Sequence, residues 1–227
     1  MDKLLIIMDP KHKHQTALSR GIELARATGA SLEIVAFVHE YLDALPSDPV
    51  IQNNARTALI ELRQEWLEKM LALAGCDDLN VVAHTVWAKQ IHQWINEHCE
   101  RENISTVVKT GHRSETFLYT PTDWHLIREC PAPVMLVADN KWKKAHPILA
   151  AIDLSSEKPV KRALNNRIID HAWQLAKAMD TELHLVHALH TSVVLADLDI
   201  IDTAAHTRKR EEELKPRIEH LRNTWHL

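Results

Sequence analysis

Short apolar runs and amphipathic stretches alternate along this chain. Leu4–Met8 is an apolar run closed by Asp9-Pro10, the pattern of a strand buried on both faces. Helical spacing follows over Thr16–Thr28, with Leu18, Ile22 and Ala25 on one face and Gly29 as the stop. Leu32–His39 reads as the next strand. Beyond the loop marked by Pro46 and Pro49, a long helix is predicted from Ile51 to Ala74, presenting Leu59, Leu62, Trp66, Met70 and Leu73 at helical intervals. Asn80–Val86 predicts a strand, and Lys89–Asn103 a helix carrying Ile91, Trp94, Ile95 and Cys99. A strand at Ile104–Lys109, a helix at Thr120–Cys130 and a strand at Val134–Ala138 complete the series. Strands alternating with helices predict an α/β fold, an open parallel five-stranded sheet with helices on both faces.

The pattern then begins again. Ala150-Ala151-Ile152-Asp153 repeats the motif of Ile6-Ile7-Met8-Asp9. Leu175-Ala176-Lys177-Ala178 with Leu183-His184-Leu185-Val186 repeats Leu24-Ala25-Arg26-Ala27 with Leu32-Glu33-Ile34-Val35 at a constant offset. A repeat of this length is a duplicated fold unit, too long for a solenoid repeat. Residues 1–140 read as a complete domain. Residues 141–227 read as a lysine-rich linker followed by the first half of a second domain. That half has strands at Ile148–Asp153 and Leu183–Leu189, a helix at Leu164–Met179, and a charged helix from Asp202 to Trp225 that Pro216 is expected to kink or interrupt. A half sheet exposes a strand edge and apolar faces, so the chain is expected either to be part of a longer protein or to self-associate through its second unit.

Composition narrows the function classes. Apolar residues make up 45% of the chain, enough for a real core. A net charge of −4 gives no case for nucleic-acid binding, which usually rests on a basic surface. The N-terminal apolar run is far too short for a membrane span. Three cysteines with no paired spacing point to a reduced, cytoplasmic setting. Among the sixteen histidines, His12 and His14 share a loop, His92 and His98 lie off one helix face, and His184, His187 and His190 follow one strand. None forms a metal set with a cysteine or carboxylate at known spacing, so no metal is expected. A Gly-x-Ser-x-Gly run is also missing, and no catalytic residue is assigned.

Asp9 and Asp153 close the first strand of each copy, where open parallel sheets bind ligands. Each aspartate can accept a hydrogen bond from an adenine amino group or a ribose hydroxyl, or can cap its own loop. The fourth strand ends in Val107-Val108-Lys109-Thr110-Gly111-His112-Arg113-Ser114. The order of elements, the aspartate after strand one, and the closing Cys130-Pro131-Ala132-Pro133-Val134-Met135-Leu136-Val137 together resemble the universal stress protein family. The resemblance implies a Rossmann-related fold. In ATP-binding members it implies a loop after strand four with Gly-x-x-Gly, nine residues, then Gly-Ser or Gly-Thr, whose glycines let backbone N–H groups reach phosphates.

This chain departs from that pattern. The loop glycines fall at Thr110 and Arg113, the Gly-Ser pair falls at Thr120 and Pro121, and Gly111 is the one glycine left. What remains is a degenerate nucleotide site of Asp9, Gly111, His112, Arg113 and Asp153, with no cofactor expected. Thr120-Pro121-Thr122-Asp123-Trp124-His125-Leu126 reads as a helix start capped by Thr120. This run is similar to the tandem two-domain branch of the family. Trp124 is expected to be packed and His125 to lie on the surface. Phe117, Leu118 and Tyr119 either fill a core or line an apolar pocket. The resemblance implies a cytoplasmic, non-enzymatic protein that supports survival under stress, including DNA damage. The alternatives are a nucleotide-binding module and a carrier of a small apolar ligand.

Overall fold

The computed structural model describes residues 2–12, 14–111, 122–138, 147–189 and 202–225. The chain divides into two compact units, Met1–Trp142 and Lys143–Leu227.

In the first unit, β1 (Lys3–Met8) is apolar throughout after its first residue, and it takes the centre of the sheet. Around it stand β2 (Ser31–Val38), β3 (Val81–Trp87), β4 (Thr106–Thr110) and β5 (Val134–Val137). All pairings are parallel and the order is β3-β2-β1-β4-β5. The helices are α1 (Thr16–Thr28), α2 (Pro49–Ala74), α3 (Ile91–Glu102) and α4 (Thr122–Glu129). Residues alternate between the two faces of the sheet. Ile6 points toward α1, which approaches so closely that a Cβ on Gly21 would collide with the Ile6 side chain. Leu5, Ile7, Val35, Phe37 and Val107 point the other way, into a core closed by Ile95 and Cys99 of α3 and Leu126 of α4. Gly29 ends α1 with φ 74°, a left-handed conformation that glycine adopts without steric cost. Asp48 caps α2 by accepting a 2.8 Å hydrogen bond from the Val50 N–H, and Pro49 fits the first turn.

The second unit holds β6 (Ile148–Ala151), α5 (Pro159–Ala178), β7 (Leu183–Val186) and α6 (Thr203–Trp225). β6 and β7 form a parallel pair. Both helices pack on one face of it, where Leu214 of α6 meets Ile169 of α5, Ile152 and Leu154.

Several expectations need correction. The outward residues of α2 include Leu62 and Leu73, 62% and 81% exposed; only Leu67 of that helix is fully buried. Trp124 is exposed on α4 and His125 is half-buried, the reverse of the expected pair. α5 starts at Pro159, earlier than the apolar spacing suggested, and β7 stops at Val186. Pro216 lies inside α6 without interrupting it. Thr120, Pro121 and the run Phe117–Tyr119 lie outside the described residues.

Candidate functional site

The sheet order reverses direction between β1 and β4, so the crevice beyond their C-terminal ends is where an open parallel sheet would hold a ligand. Asp9 leaves β1 there. Its Oδ1 accepts the Lys11 N–H at 2.9 Å, the geometry of an aspartate closing its own turn. A single side-chain amide holds the Asp9 backbone. The Asp9 N–H donates to Gln15 Oε1 at 3.2 Å, and Gln15 Nε2 donates to the Asp9 carbonyl at 2.7 Å. His12 Nε2 stands 3.9 Å from Asp9 Oδ2. Arg63 of α2, its guanidinium 5.3 Å from the Trp66 ring, is half-buried. Burial lowers its pKa, and the charge of Asp9 opposes that shift.

The second unit repeats the clamp with another amide. Asp153 N–H donates to Asn165 Oδ1 at 3.0 Å, and Asn165 Nδ2 donates to the Asp153 carbonyl at 2.7 Å. Asp153 Oδ1 accepts from the Ser155 hydroxyl at 2.7 Å and the Ser155 N–H at 3.0 Å. The Ser155 hydroxyl is the largest influence holding the Asp153 carboxyl below the usual range. A cavity of about 680 Å³ opens beside it between α5 and α6, lined by Leu154, Arg217, Leu221 and Trp225 among others.

Across the switch point, Gly111 follows β4. Its N–H donates to the Val137 carbonyl at 2.9 Å, extending the β4–β5 ladder. Its φ is not positive, and an added Cβ would meet only ordinary contacts at 3.5 and 3.8 Å. Gly111 therefore shows neither the conformation nor the available donor of a phosphate-loop glycine. His112 and Arg113 lie outside the described residues. Of the five residues read as a degenerate nucleotide site, Asp9 and Gly111 flank the first unit's switch point, and Asp153 takes the equivalent strand exit in the second unit.

Beneath the crevice lies a feature the sequence reading missed. Lys109 of β4 and Asp123 of α4 are both more than nine-tenths buried, with Nζ 2.8 Å from Oδ1. Lys109 Nζ also donates to the Thr110 carbonyl at 2.9 Å. A second buried charge cluster stands on the same sheet face, because Lys3, Glu33 and Lys109 share the parity of Leu5 and Ile7. Glu33 is reached by Lys3 Nζ at 2.6 Å and His98 Nε2 at 2.7 Å. Burial alone would raise its pKa; the Lys3 and His98 contacts outweigh that and hold it below the usual value. The signal was present in the sequence, since Glu33 and Lys109 are single charges within apolar strands, and a buried charge requires a partner.

The α3–α4 interface holds two further pairs. The His92 and His125 rings stack at 4.2 Å, 13° from parallel, and Glu129 Oε1 lies 3.7 Å from His125 Nδ1. Burial and then the charge of His125 lower the His92 pKa. Cys99 and Cys130 are free thiols with Sγ atoms 4.0 Å apart. Their hydrogen bond lowers the Cys130 pKa to about 7 and raises that of Cys99. Among the described residues, no helix is long and apolar enough to cross a membrane.

Comparison with known proteins agrees with this architecture. Universal stress protein E of Salmonella typhi is 32% identical over 193 residues, covering 82% of this chain and 61% of that protein. The Escherichia coli K12 protein of the same name is 31% identical over the same length, with 60% of it covered. The Haemophilus influenzae homolog is 26% identical over 207 residues, covering 87% of this chain and 67% of that protein. The chain thus spans about 60% of the length of the first two relatives. A putative universal stress protein from Pseudomonas aeruginosa UCBPP-PA14 superposes with a TM-score of 0.65 at 22% identity, covering 100% of this chain and 71% of that one. A functionally unknown protein from Pseudomonas aeruginosa PAO1 gives the same score at 21% identity, covering 100% and 70%. At these identities the structural matches speak for the fold alone. The sequence profile of the universal stress protein family matches residues 1–138, and the chain belongs to that family.

Proposed function

We propose that this chain serves in a stress response as a universal stress protein that works without an ATP-bound state at its first-unit switch point and without catalysing a reaction. The cytoplasm suits it, since all three cysteines are free thiols. The similarity to universal stress protein E supports a role in survival under stress, including DNA damage. The observation that carries the reading is the replacement of the phosphate-loop glycines by Thr110 and Arg113 and of the Gly-Ser pair by Thr120 and Pro121, and the N–H of the remaining Gly111 is committed to Val137. Asp9 Oδ1 likewise closes its own turn. Isothermal titration with Mg-ATP tests this. No heat of binding in the low-micromolar range is expected, and a low-micromolar dissociation constant abolished by Asp9→Ala would overturn it.

A second reading, a carrier of a small apolar ligand, draws on the cavity of about 680 Å³ beside Asp153, which falls within the usual size of ligand pockets. Native mass spectrometry of the purified chain tests it, and a bound small molecule lost on Trp225→Arg is the supporting result.

We also propose self-association through the second unit. Among the described residues β6 pairs only with β7, and Leu149 is 64% exposed. An unpaired edge beside exposed apolar residues invites another strand. Light scattering is expected to show a mass that rises with concentration for the full chain and less so for Leu149→Lys; an unchanging monomer mass would sink this proposal.

A further inference from the structure

The α3–α4 interface places three metal-ligating side chains together that lie far apart in sequence. His92 sits in the first turn of α3. His125 and Glu129 are one turn apart on α4, so both project from one side of that helix. One donor atom from each of the three lies within 4.8 Å of the others. We propose that His92, His125 and Glu129 form a binding site for a divalent zinc-type cation that joins α3 to α4.

The donor set selects the class of ion. Two imidazole nitrogens and one carboxylate oxygen suit zinc and its borderline neighbours better than calcium or magnesium, which favour all-oxygen shells. Bond lengths of about 2.0–2.1 Å require donors roughly 3–3.5 Å apart in a tetrahedral site. The His125 Nδ1 to Glu129 Oε1 distance of 3.7 Å is already close to that. The remaining adjustment falls on the His92 and His125 rings, which now stack in parallel. Turning one ring out of the stack brings its nitrogen toward the other donors. Both imidazoles are half-buried and Glu129 is exposed, so the carboxylate can move without disturbing the core and water can take the fourth position. The neighbouring side chains hold the framework still. Ile95 and Cys99 of α3 and Leu126 of α4 are buried in one core, and Asp123 at the start of α4 is tied to Lys109 of β4. The two helices are therefore fixed before any ion arrives, which is what a preorganised site requires.

Sixteen histidines make weak background binding certain to complicate a simple titration, so the test compares variants. The full chain, untagged and stripped with EDTA, is titrated with zinc chloride by isothermal calorimetry and with cobalt(II) by visible spectroscopy. One tight zinc per chain is expected, with a tetrahedral-type cobalt absorption displaced by zinc. His92→Gln and His125→Gln should each weaken that event at least about tenfold, the lower end of what even outer-shell changes cost a metal site. His184→Gln, in β7 of the second unit, should leave it unchanged. Far-UV circular dichroism establishes that each variant is folded. Zinc should raise the melting temperature of the parent chain and fail to raise that of His125→Gln. Absence of a tight zinc, or one that survives both His92→Gln and His125→Gln, overturns the proposal.

Discussion

The two units begin with the same strand and helix pattern and bury it to different depths. In the first, β1 has β2 on one side and β4 on the other, helices cover both sheet faces, and Leu4, Leu5 and Ile6 are fully buried. In the second, β6 has β7 alone among the described residues, and α5 and α6 cover a single face. The opposite face carries Leu149 and Val186, 64% and 43% exposed, on strands equivalent to β1 and β2. That face corresponds to the one that α3 and α4 cover in the first unit. By contrast, the amide clamp on the strand-exit aspartate is present in both units, through Gln15 in one and Asn165 in the other. Hydrogen bonds within one strand–helix unit travel with that unit, whereas burial depends on the neighbours that complete the layer.

The largest way to break this comparison is to attack a feature of the completed layer. Asp123→Ala removes the carboxylate that faces the Lys109 ammonium in a pair more than nine-tenths buried, and should destabilise the first unit by about 3 kcal/mol. Urea unfolding followed by hydrogen exchange should place the loss in residues of the first unit and spare α5 and β7.

A smaller effect comes from acid. Glu33 titrates below its ordinary value in the folded chain. Its contribution is therefore complete above the unfolded pKa of about 4.3 and disappears as pH falls through the lower, folded one. The first unit should lose stability steeply in that acid window. Glu33→Gln should remove part of the slope and cost about 2 kcal/mol near neutrality, less than a fully enclosed pair because Lys3 is partly exposed and also reaches Glu102 at 3.3 Å. An identical acid profile in Glu33→Gln would show that other carboxylates carry the slope.

The smallest effect sharpens the likeness between the units. Asn165→Ala removes the partner of both backbone groups of Asp153 and should cost about 1–2 kcal/mol, with Gln15→Ala costing about 1 kcal/mol in the more open loop. Paired denaturation curves measure both; a cost in one unit and none in the other would end the equivalence.

Much of the fold was legible because local chemistry determines it. The α1 range read from the sequence matches the structure, since its apolar spacing and Gly29 act within a few residues. The α2 face was read too broadly. A 26-residue helix covering the β2–β3 side of the sheet buries one leucine fully and leaves Leu62 and Leu73 outside, which periodicity alone cannot reveal. The start of α5 was missed because Val160, 80% exposed, and the charged residues after it carry no apolar rhythm. At the site, the positions of Asp9 and Gly111 followed from strand ends. Their partners did not. Gln15, Lys109 with Asp123, and His92 with His125 are polar contacts, and the latter two connect separate elements. Sequence spacing cannot encode such pairings.

The strand order has a kinetic consequence. The central strand β1 meets β2 after a short connection, whereas its other edge is filled by β4 from much farther along the chain; Lys3 and Ser105, hydrogen-bonded across this seam, are 102 residues apart. Closing a loop of that length is entropically slow, so the β1–β4 seam is the step expected to limit the folding rate of the first unit. The β6–β7 pair of the second unit closes over a much shorter span and can form without it. Substitutions along the seam, such as Val107→Ala, should therefore slow folding of the first unit, while changes in α5 leave that rate alone.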